Sequence, residues 1–284
     1  MGAQAAHAAS SAAGAAFVLE PKDFRFIADI LHRDSGIRLG EGKSSLVYSR
    51  LSKRLRALGL TRFRDYCELI ESPEGREERA ALLSALTTNV TRFYREPHHF
   101  EALREQVVTT LAPAARAGAR VRLWSAGCSN GHEPYSMAMT LLDALPEAGR
   151  LDVRILATDI DPVVVQRARL GQYDPAELQP VPPALRQRYS QDVDGQAVMA
   201  DEVRALISFG TLNLHGAWPM KGDFDAIFCR NVAIYFDEAA QAQLWRRFAE
   251  RLSPKGRLYI GHSERADVPG LTSAGLTIYR RAAS

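Results

Sequence analysis

Cysteine is scarce in this chain. Its 284 residues include three, Cys67, Cys128 and Cys229, far apart and in no Cys-x-x-Cys pair. That spacing supports neither a disulfide framework nor a thiolate zinc site, and a chain of this length needs no disulfide staples to build a core. Long apolar runs are also missing: none reaches the ~18 residues of a membrane span. The Ala-rich first sixteen residues have neither a basic flank nor a proper apolar centre, so they do not read as a signal peptide. Position 6 is Ala, where a myristoylation signal carries Ser or Thr. These absences describe a soluble, cytoplasmic protein with no metal.

What is present is balanced overall but unevenly placed. Hydrophobic residues make up 46% and charged residues 24%, the proportions of a globular protein, and the length allows one large domain or two ordinary ones. The net charge is +3. Residues 1–100 carry all of it, with fifteen Lys and Arg against twelve Asp and Glu; the remainder carries twenty-one of each. Between positions 38 and 64, eight basic residues stand against one acid, Glu41. Such a segment attracts an acidic partner.

Hydrophobic periodicity divides the chain. Residues 1–16 hold little to bury and are expected to be disordered. Helical patterning covers residues 23–110, and residues 17–88 form the expected helical domain. Phe24, Ile27, Ile30 and Leu31 lie at helical spacing, and Ser35-Gly36 ends that helix. A second helix starts near Ser44 with an apolar face of Val47, Leu51, Leu55 and Leu58. Arg50, Lys53 and Arg56 point away from that face, Arg54 lies at its edge, and Gly59 is the expected C-cap. Residues 89–119 form a linker with a polar, aromatic and basic junction motif.

From residue 120 to 284, strands alternate with helices, which predicts an α/β domain with a parallel sheet. The expected strands begin at Val121, Val153, Phe224, Arg257 and Leu276; the expected helices cover 134–145, 162–170 and 241–252. A Pro-rich stretch and an Asp194-Gly195 turn mark residues 174–207 as a small antiparallel insertion.

Four places carry candidate chemistry. In Trp124-Ser-Ala-Gly-Cys-Ser-Asn-Gly-His-Glu-Pro-Tyr-Ser136, a strand runs into a loop with Gly127 and Gly131, and a helix follows. The loop matches neither the dinucleotide fingerprint nor the P-loop. Asp159 ends the next strand, where a carboxylate can accept both ribose hydroxyls; Asp161-Pro162 is the better cap for the helix behind it. A glycine loop and an acid without a phosphate cradle suit a nucleoside free of phosphates, and S-adenosylmethionine fits. Thr87-Thr-Asn-Val-Thr-Arg-Phe-Tyr-Arg-Glu-Pro-His-His-Phe100 lies at the junction of the two halves. Within it, His98-His99 has no evident cluster of further ligands and reads as packing. Cys229-Arg-Asn-Val-Ala-Ile-Tyr-Phe-Asp237 follows a strand, placing Asn231 and Tyr235 near its C-terminal end.

In this order, and with Leu-Asn-Leu214 and Gly-His-Ser-Glu264, these motifs resemble the CheR family of chemotaxis receptor methyltransferases over about residues 20–282. The resemblance implies an all-α N-terminal domain followed by a Rossmann-like methyltransferase domain with a small antiparallel β-subdomain. It implies methyl transfer from S-adenosylmethionine to glutamate side chains of chemoreceptor cytoplasmic helices. The products are glutamyl methyl esters and S-adenosylhomocysteine, and the process is adaptation in chemotaxis-type signalling.

Position by position, the resemblance assigns Asn89, Thr91, Arg95, Gly127, Glu133, Asp159, Asn213, Leu214, Arg230 and Asn231 to the cofactor. It sets Arg95 and Tyr235 beside the reacting groups. Arg50, Lys53, Arg54 and Arg56 are the expected receptor contact. One departure is His132, where the family usually has Glu; as a surface change it would be neutral, and otherwise it would alter local charge. A monomer without nucleic-acid binding or membrane insertion is expected. The competing reading is a non-catalytic module that binds S-adenosylmethionine or another nucleotide.

Overall fold

The computed structural model describes residues 17–282, so the expected disorder of residues 1–16 lies outside the described residues. The chain forms two compact units, one comprising residues up to 34 and 38–86, the other residues 35–37 and 87 onward.

The first unit is helical. Its main elements are α1 (Pro21–Ser35), α2 (Ser44–Ala57), α3 (Phe63–Glu71) and α4 (Arg76–Leu86). Phe24, Ile27, Ile30 and Leu31 of α1 are buried, as are Val47, Leu51 and Leu55 of α2, so the period read from the sequence is the packing face. Leu58, expected to extend that face, lies beyond the last turn of α2 and is 38% exposed. Gly59 then takes a left-handed φ of +69°, as expected of a C-cap. The Ser72 side chain accepts the Gly75 N–H and separates α3 from α4.

A buried acid ties this unit together. Glu78 on α4 receives the Arg54 guanidinium at 3.0 and 2.6 Å and the Tyr66 hydroxyl at 2.8 Å.

The second unit opens on a helical stretch. The linker and junction segment, with helical patterning to residue 110, is helical from Pro97 to Arg116: α5 (Pro97–Gln106), a π-turn (Val107–Leu111) and α6 (Ala112–Arg116). The cause is a run of apolar residues at helical spacing, Phe100, Leu103, Val107 and Leu111, all buried in the core of this unit.

The strands are β1 (Val121–Ala126), β2 (Val153–Asp159), β3 (Gln172–Tyr173), β4 (Ser190–Val193), β5 (Gln196–Met199), β6 (Ile207–Thr211), β7 (Phe224–Cys229), β8 (Leu252–Ile260), β9 (Leu271–Gly275) and β10 (Ile278–Arg281). Among them run α7 (His132–Ala144), α8 (Pro162–Leu170), α9 (Pro183–Tyr189), α10 (Asp201–Arg204) and α11 (Glu238–Arg251). The main sheet has the order β6-β2-β1-β7-β8-β10-β9. Its first five strands are parallel, and β10 and β9 are antiparallel additions. The order reverses between β1 and β7, which is where open α/β sheets bind ligands at the strands' C-terminal ends.

The second, three-stranded sheet, β3-β5-β4, is antiparallel. Asp194 and Gly195 turn β4 into β5 with φ of +53° and +76°, the positive pair a two-residue hairpin favours.

Two elements differ from expectation. β6 carries no clear strand pattern because it is an edge strand with Ser208 and Thr211 exposed. The last expected strand starts two residues late, as β10, and forms a hairpin with the unexpected β9: Gly275 to Thr277 makes the turn, so Leu276 is 73% exposed and pairing resumes at Ile278.

Candidate active site

The loops after β1, β2 and β7 meet at the topological switch point. Gly127 follows β1 with φ +96°, and a Cβ there would sit 2.3 Å from Val232 Cγ2. The β1 loop and the β7 loop therefore pack backbone against side chain, which only glycine permits. Gly131 caps α7 with φ +92°, and a Cβ on it would lie 2.7 Å from the Tyr173 hydroxyl.

Glu133, in the first turn of α7, is a buried acid whose two oxygens have separate partners. Ser125 Oγ, on β1, donates to Oε1 at 2.7 Å, and Arg230 Nη1, just after β7, donates to Oε2 at 3.1 Å. Burial pushes the Glu133 carboxyl above its ordinary range, against the opposing pull of Arg230 and Ser125.

Arg230 is itself anchored. Its Nη2 donates to the Arg95 carbonyl and lies 3.4 Å from Glu96 Oε2, and its guanidinium stands 5.7 Å from the Phe100 ring centre. Asn231, next in the chain, has a left-handed φ of +59°, and its Oδ1 is buried without a hydrogen-bond partner.

Asp159 ends β2. Its oxygens accept the backbone N–H of Ser129 at 2.8 Å and of Asp161 at 3.0 Å. Burial raises its pKa, and those two N–H groups oppose the rise. An ionised carboxylate offers about four lone-pair sites, so acceptor capacity remains for ligand hydroxyls. Asp161 caps α8 through the Val163 N–H at 2.9 Å.

The junction motif is drawn into the same site. Asn89 Nδ2 donates to Asp161 at 3.1 Å, and Ser129 Oγ donates to the Asn89 carbonyl at 3.2 Å. Arg95 is half-buried, with Nη1 donating to the Val90 carbonyl at 3.3 Å. Thr91 is half-buried a few residues before it.

Beyond β6, the Leu212 N–H donates to the Asp159 carbonyl at 2.8 Å, which brings Asn213 and the buried Leu214 close behind the Asp159 backbone. Tyr235 is half-buried at the end of a short 3-10 turn that follows Asn231.

Three readings change. His132 is not a surface residue. It is 2% exposed, wedged edge-on against Phe93 with centroids 4.6 Å apart, and its Nε2 is 2.9 Å from Glu177. Burial lowers its pKa, opposed by Glu177; its contacts are Phe93 of the junction motif and Tyr173 and Glu177 of the small subdomain rather than the Glu133–Arg230 pair.

His98 and His99 do have a neighbour. Their ring nitrogens and a Glu96 oxygen lie within 4.8 Å of one another, where Arg230 already supplies positive charge to Glu96. Burial and Arg230 push His99 down to about 3, and its Nε2 bonds Thr277 Oγ1 at 2.8 Å.

The basic face of α2 is only partly free. Arg54 is committed to Glu78, and half-buried Arg50 donates to the Ala85 carbonyl at 3.2 Å. Lys53 and Arg56 are exposed, with Arg56 over the Phe17 ring at 5.4 Å.

Sequence reasoning passed over Ser125, Glu96 and Glu264. All three stand inside the motifs that carry the resemblance, but their roles depend on which backbone and side-chain groups face them.

The donor set fits S-adenosylmethionine. Asp159 retains acceptors for a ribose, Glu133 can accept from an α-amino group, and Asn231 Oδ1 is an orphaned buried acceptor facing no protein donor. Comparison with known proteins agrees. The model for the CheR methyltransferase all-alpha domain matches residues 22–87, and that for the CheR methyltransferase SAM binding domain matches residues 89–273. A probable chemotaxis protein methyltransferase of Rhizobium etli is 51% identical over 88% of this chain and 96% of its own length. The chemotaxis protein methyltransferase of Escherichia coli K12 is 42% identical over 87% and 85%, and that of Salmonella typhimurium LT2 is 40% identical over 92% and 90%. With both domain models matched in order and relatives this similar over nearly its whole length, the chain belongs to the CheR methyltransferase family.

Proposed function

We propose that this protein methylates glutamate carboxylates on the cytoplasmic helices of chemoreceptors and so resets receptor signalling. The observation that carries the reading is the Ser125–Glu133–Arg230 cluster beside Asp159. These are acceptors and an anchored cation suited to the amino-acid and ribose ends of one ligand, in a chain with chemotaxis methyltransferase relatives. When bound, the cofactor supplies an electrophilic methyl group on a positively charged sulfur.

The residues of this chain have modest chemical work to do. A glutamate nucleophile has a pKa of about 4.3 and is ionised near neutrality, so no general base is needed. Catalysis then rests on orientation and exclusion of water. Arg95 suits the role of holding the incoming carboxylate by charge-assisted hydrogen bonds. Tyr235 suits the role of lining the methyl with an electron-rich ring or oxygen. Lys53 and Arg56, exposed on α2, supply positive charge for an acidic receptor helix, while Arg50 and Arg54 anchor α2 itself through the Ala85 carbonyl and Glu78.

Isotope-labelled methyl transfer to receptor-bearing membranes tests the proposal. Label should appear on the receptor and leave as methanol under mild alkali. Transfer to the receptor in an alkali-stable form would point to a different acceptor atom and overturn the reading.

A further inference from the structure

The last shared motif, Gly-His-Ser-Glu264, belongs to no residue that faces the ligand set above. Glu264 is nevertheless 2% exposed. Its carboxylate accepts four backbone N–H groups: Gly261 at 2.6 Å and Asn231 at 3.0 Å on Oε2, and Val232 at 3.0 Å and Ala233 at 2.8 Å on Oε1. Three of these four donors are consecutive residues of the β7 loop. They begin one residue after Arg230 and end two before Tyr235.

An isolated buried carboxylate is costly, and paired N–H groups are what make it tolerable. Burial pushes Glu264 up and the four N–H groups pull it back. Three of these bonds satisfy consecutive N–H groups of the turn after β7, and the fourth ties it to Gly261 at the end of β8.

The turn is a demanding one. Asn231 is a non-glycine residue at φ +59°, a conformation that persists only where its surroundings enforce it. Gly261 completes the enclosure. A Cβ on it would lie 2.7 Å from Asn231 Nδ2, 2.9 Å from the Asn231 N and 2.9 Å from Glu264 Oε2. On the other side, Val232 presses against Gly127. The loop after β7 is thus held from both neighbouring strands, by Gly127 after β1 and by Gly261 and Glu264 after β8.

We infer that Glu264 is a positioning residue for cofactor binding. Its four-fold acceptance of backbone N–H groups fixes the Arg230–Asn231 turn so that Arg230 meets Glu133 and Asn231 presents its orphaned Oδ1. Glu264 acts through that turn and touches no substrate. The inference rests on the proposed cofactor site.

Binding of S-adenosylhomocysteine to the full chain, measured by calorimetry, tests it. Glu264→Gln keeps the side-chain volume but replaces an acceptor by a donor that faces N–H groups. Glu264→Asp keeps both acceptor oxygens on a shorter arm. Glutamine should weaken binding by about tenfold or more, as expected from losing charged hydrogen bonds, and aspartate should recover part of that loss. A role in filling space alone predicts the reverse order, with glutamine the better tolerated, and that order would overturn the inference. Unchanged binding in Glu264→Gln would overturn it as well.

Should Glu264→Gln fail to fold, Gly261→Ala tests the same cradle from outside the carboxylate. It should weaken binding at temperatures well below its own melting transition, where the chain is folded, and full affinity in that variant would count against the inference. Failure of the wild-type protein to bind S-adenosylhomocysteine would instead remove the functional reading on which the inference stands.

Discussion

Arg95 and Tyr235 are the residues on which the proposed chemistry depends most. Both are half-buried, as suits groups that meet a macromolecular substrate. Arg95→Ala should lower kcat by about 10- to 100-fold at saturating cofactor, the scale of a lost orienting contact. Tyr235→Phe should cost less. Full turnover in both variants would remove them from the mechanism.

His99 gives a pH prediction that is independent of activity. Its folded pKa is depressed to about 3, so below the ordinary value near 6.5 the unfolded chain takes up a proton that the folded chain refuses. The histidine therefore has no effect on stability at high pH and erodes it as pH falls below that value, down to about 3. Relative to His99→Gln, the wild type should lose about 2 kcal/mol between pH 7 and pH 5 in urea titrations. A parallel pH profile for the two proteins would contradict the assignment.

Gly127 and Asp159 were legible from sequence because each combines a residue type with a place at a strand end. Ser125 and Glu264 were not, because their roles depend on which N–H and O–H groups point at a buried carboxylate. His132 was misjudged on the surface because the aromatic pair around it, Phe93 and Tyr173, is assembled from distant segments.

Among the elements, α2 shows how one helix serves two ends. Val47, Leu51 and Leu55 form its buried face, and the polar side splits into anchored and exposed cations. Arg54 and Tyr66 converge on Glu78, which is 7% exposed. Glu78→Ala strands a buried hydroxyl and a half-buried guanidinium. It should destabilise the protein by about 2 kcal/mol in denaturant titration, a figure reduced for the solvent that still reaches Arg54. A change below about 0.5 kcal/mol would show that the triad is ornamental.

Helical and core-strand periods in the sequence located most elements because their apolar faces are buried as read. β6 and β9 escaped because edge strands with exposed faces lose the alternation that marks a strand.

At the scale of the whole molecule, the charge of +3 is concentrated in the first hundred residues, and no helix among the described residues is long and apolar enough to cross a membrane. The neutral remainder contains most of the candidate active site, and the junction motif before residue 100 completes it. Recognition of an acidic receptor helix by exposed cations should be screened by salt. Receptor methylation should fall as ionic strength rises from about 0.05 to about 0.5 M, while binding of S-adenosylhomocysteine changes little. Lys53→Ala should lower methylation at low salt and flatten that dependence with no change in melting temperature. A salt-independent rate, or an unaltered slope in Lys53→Ala, would remove α2 from substrate recognition.

The central claim is the identity of the acceptor atom. Receptor cytoplasmic fragment incubated with this protein and S-adenosylmethionine, then mapped by mass spectrometry, should carry the mass of one added methylene on glutamate side chains. Replacing those glutamates by alanine should abolish the gain. Modification of any other side chain, or none in the presence of bound cofactor, would contradict the account.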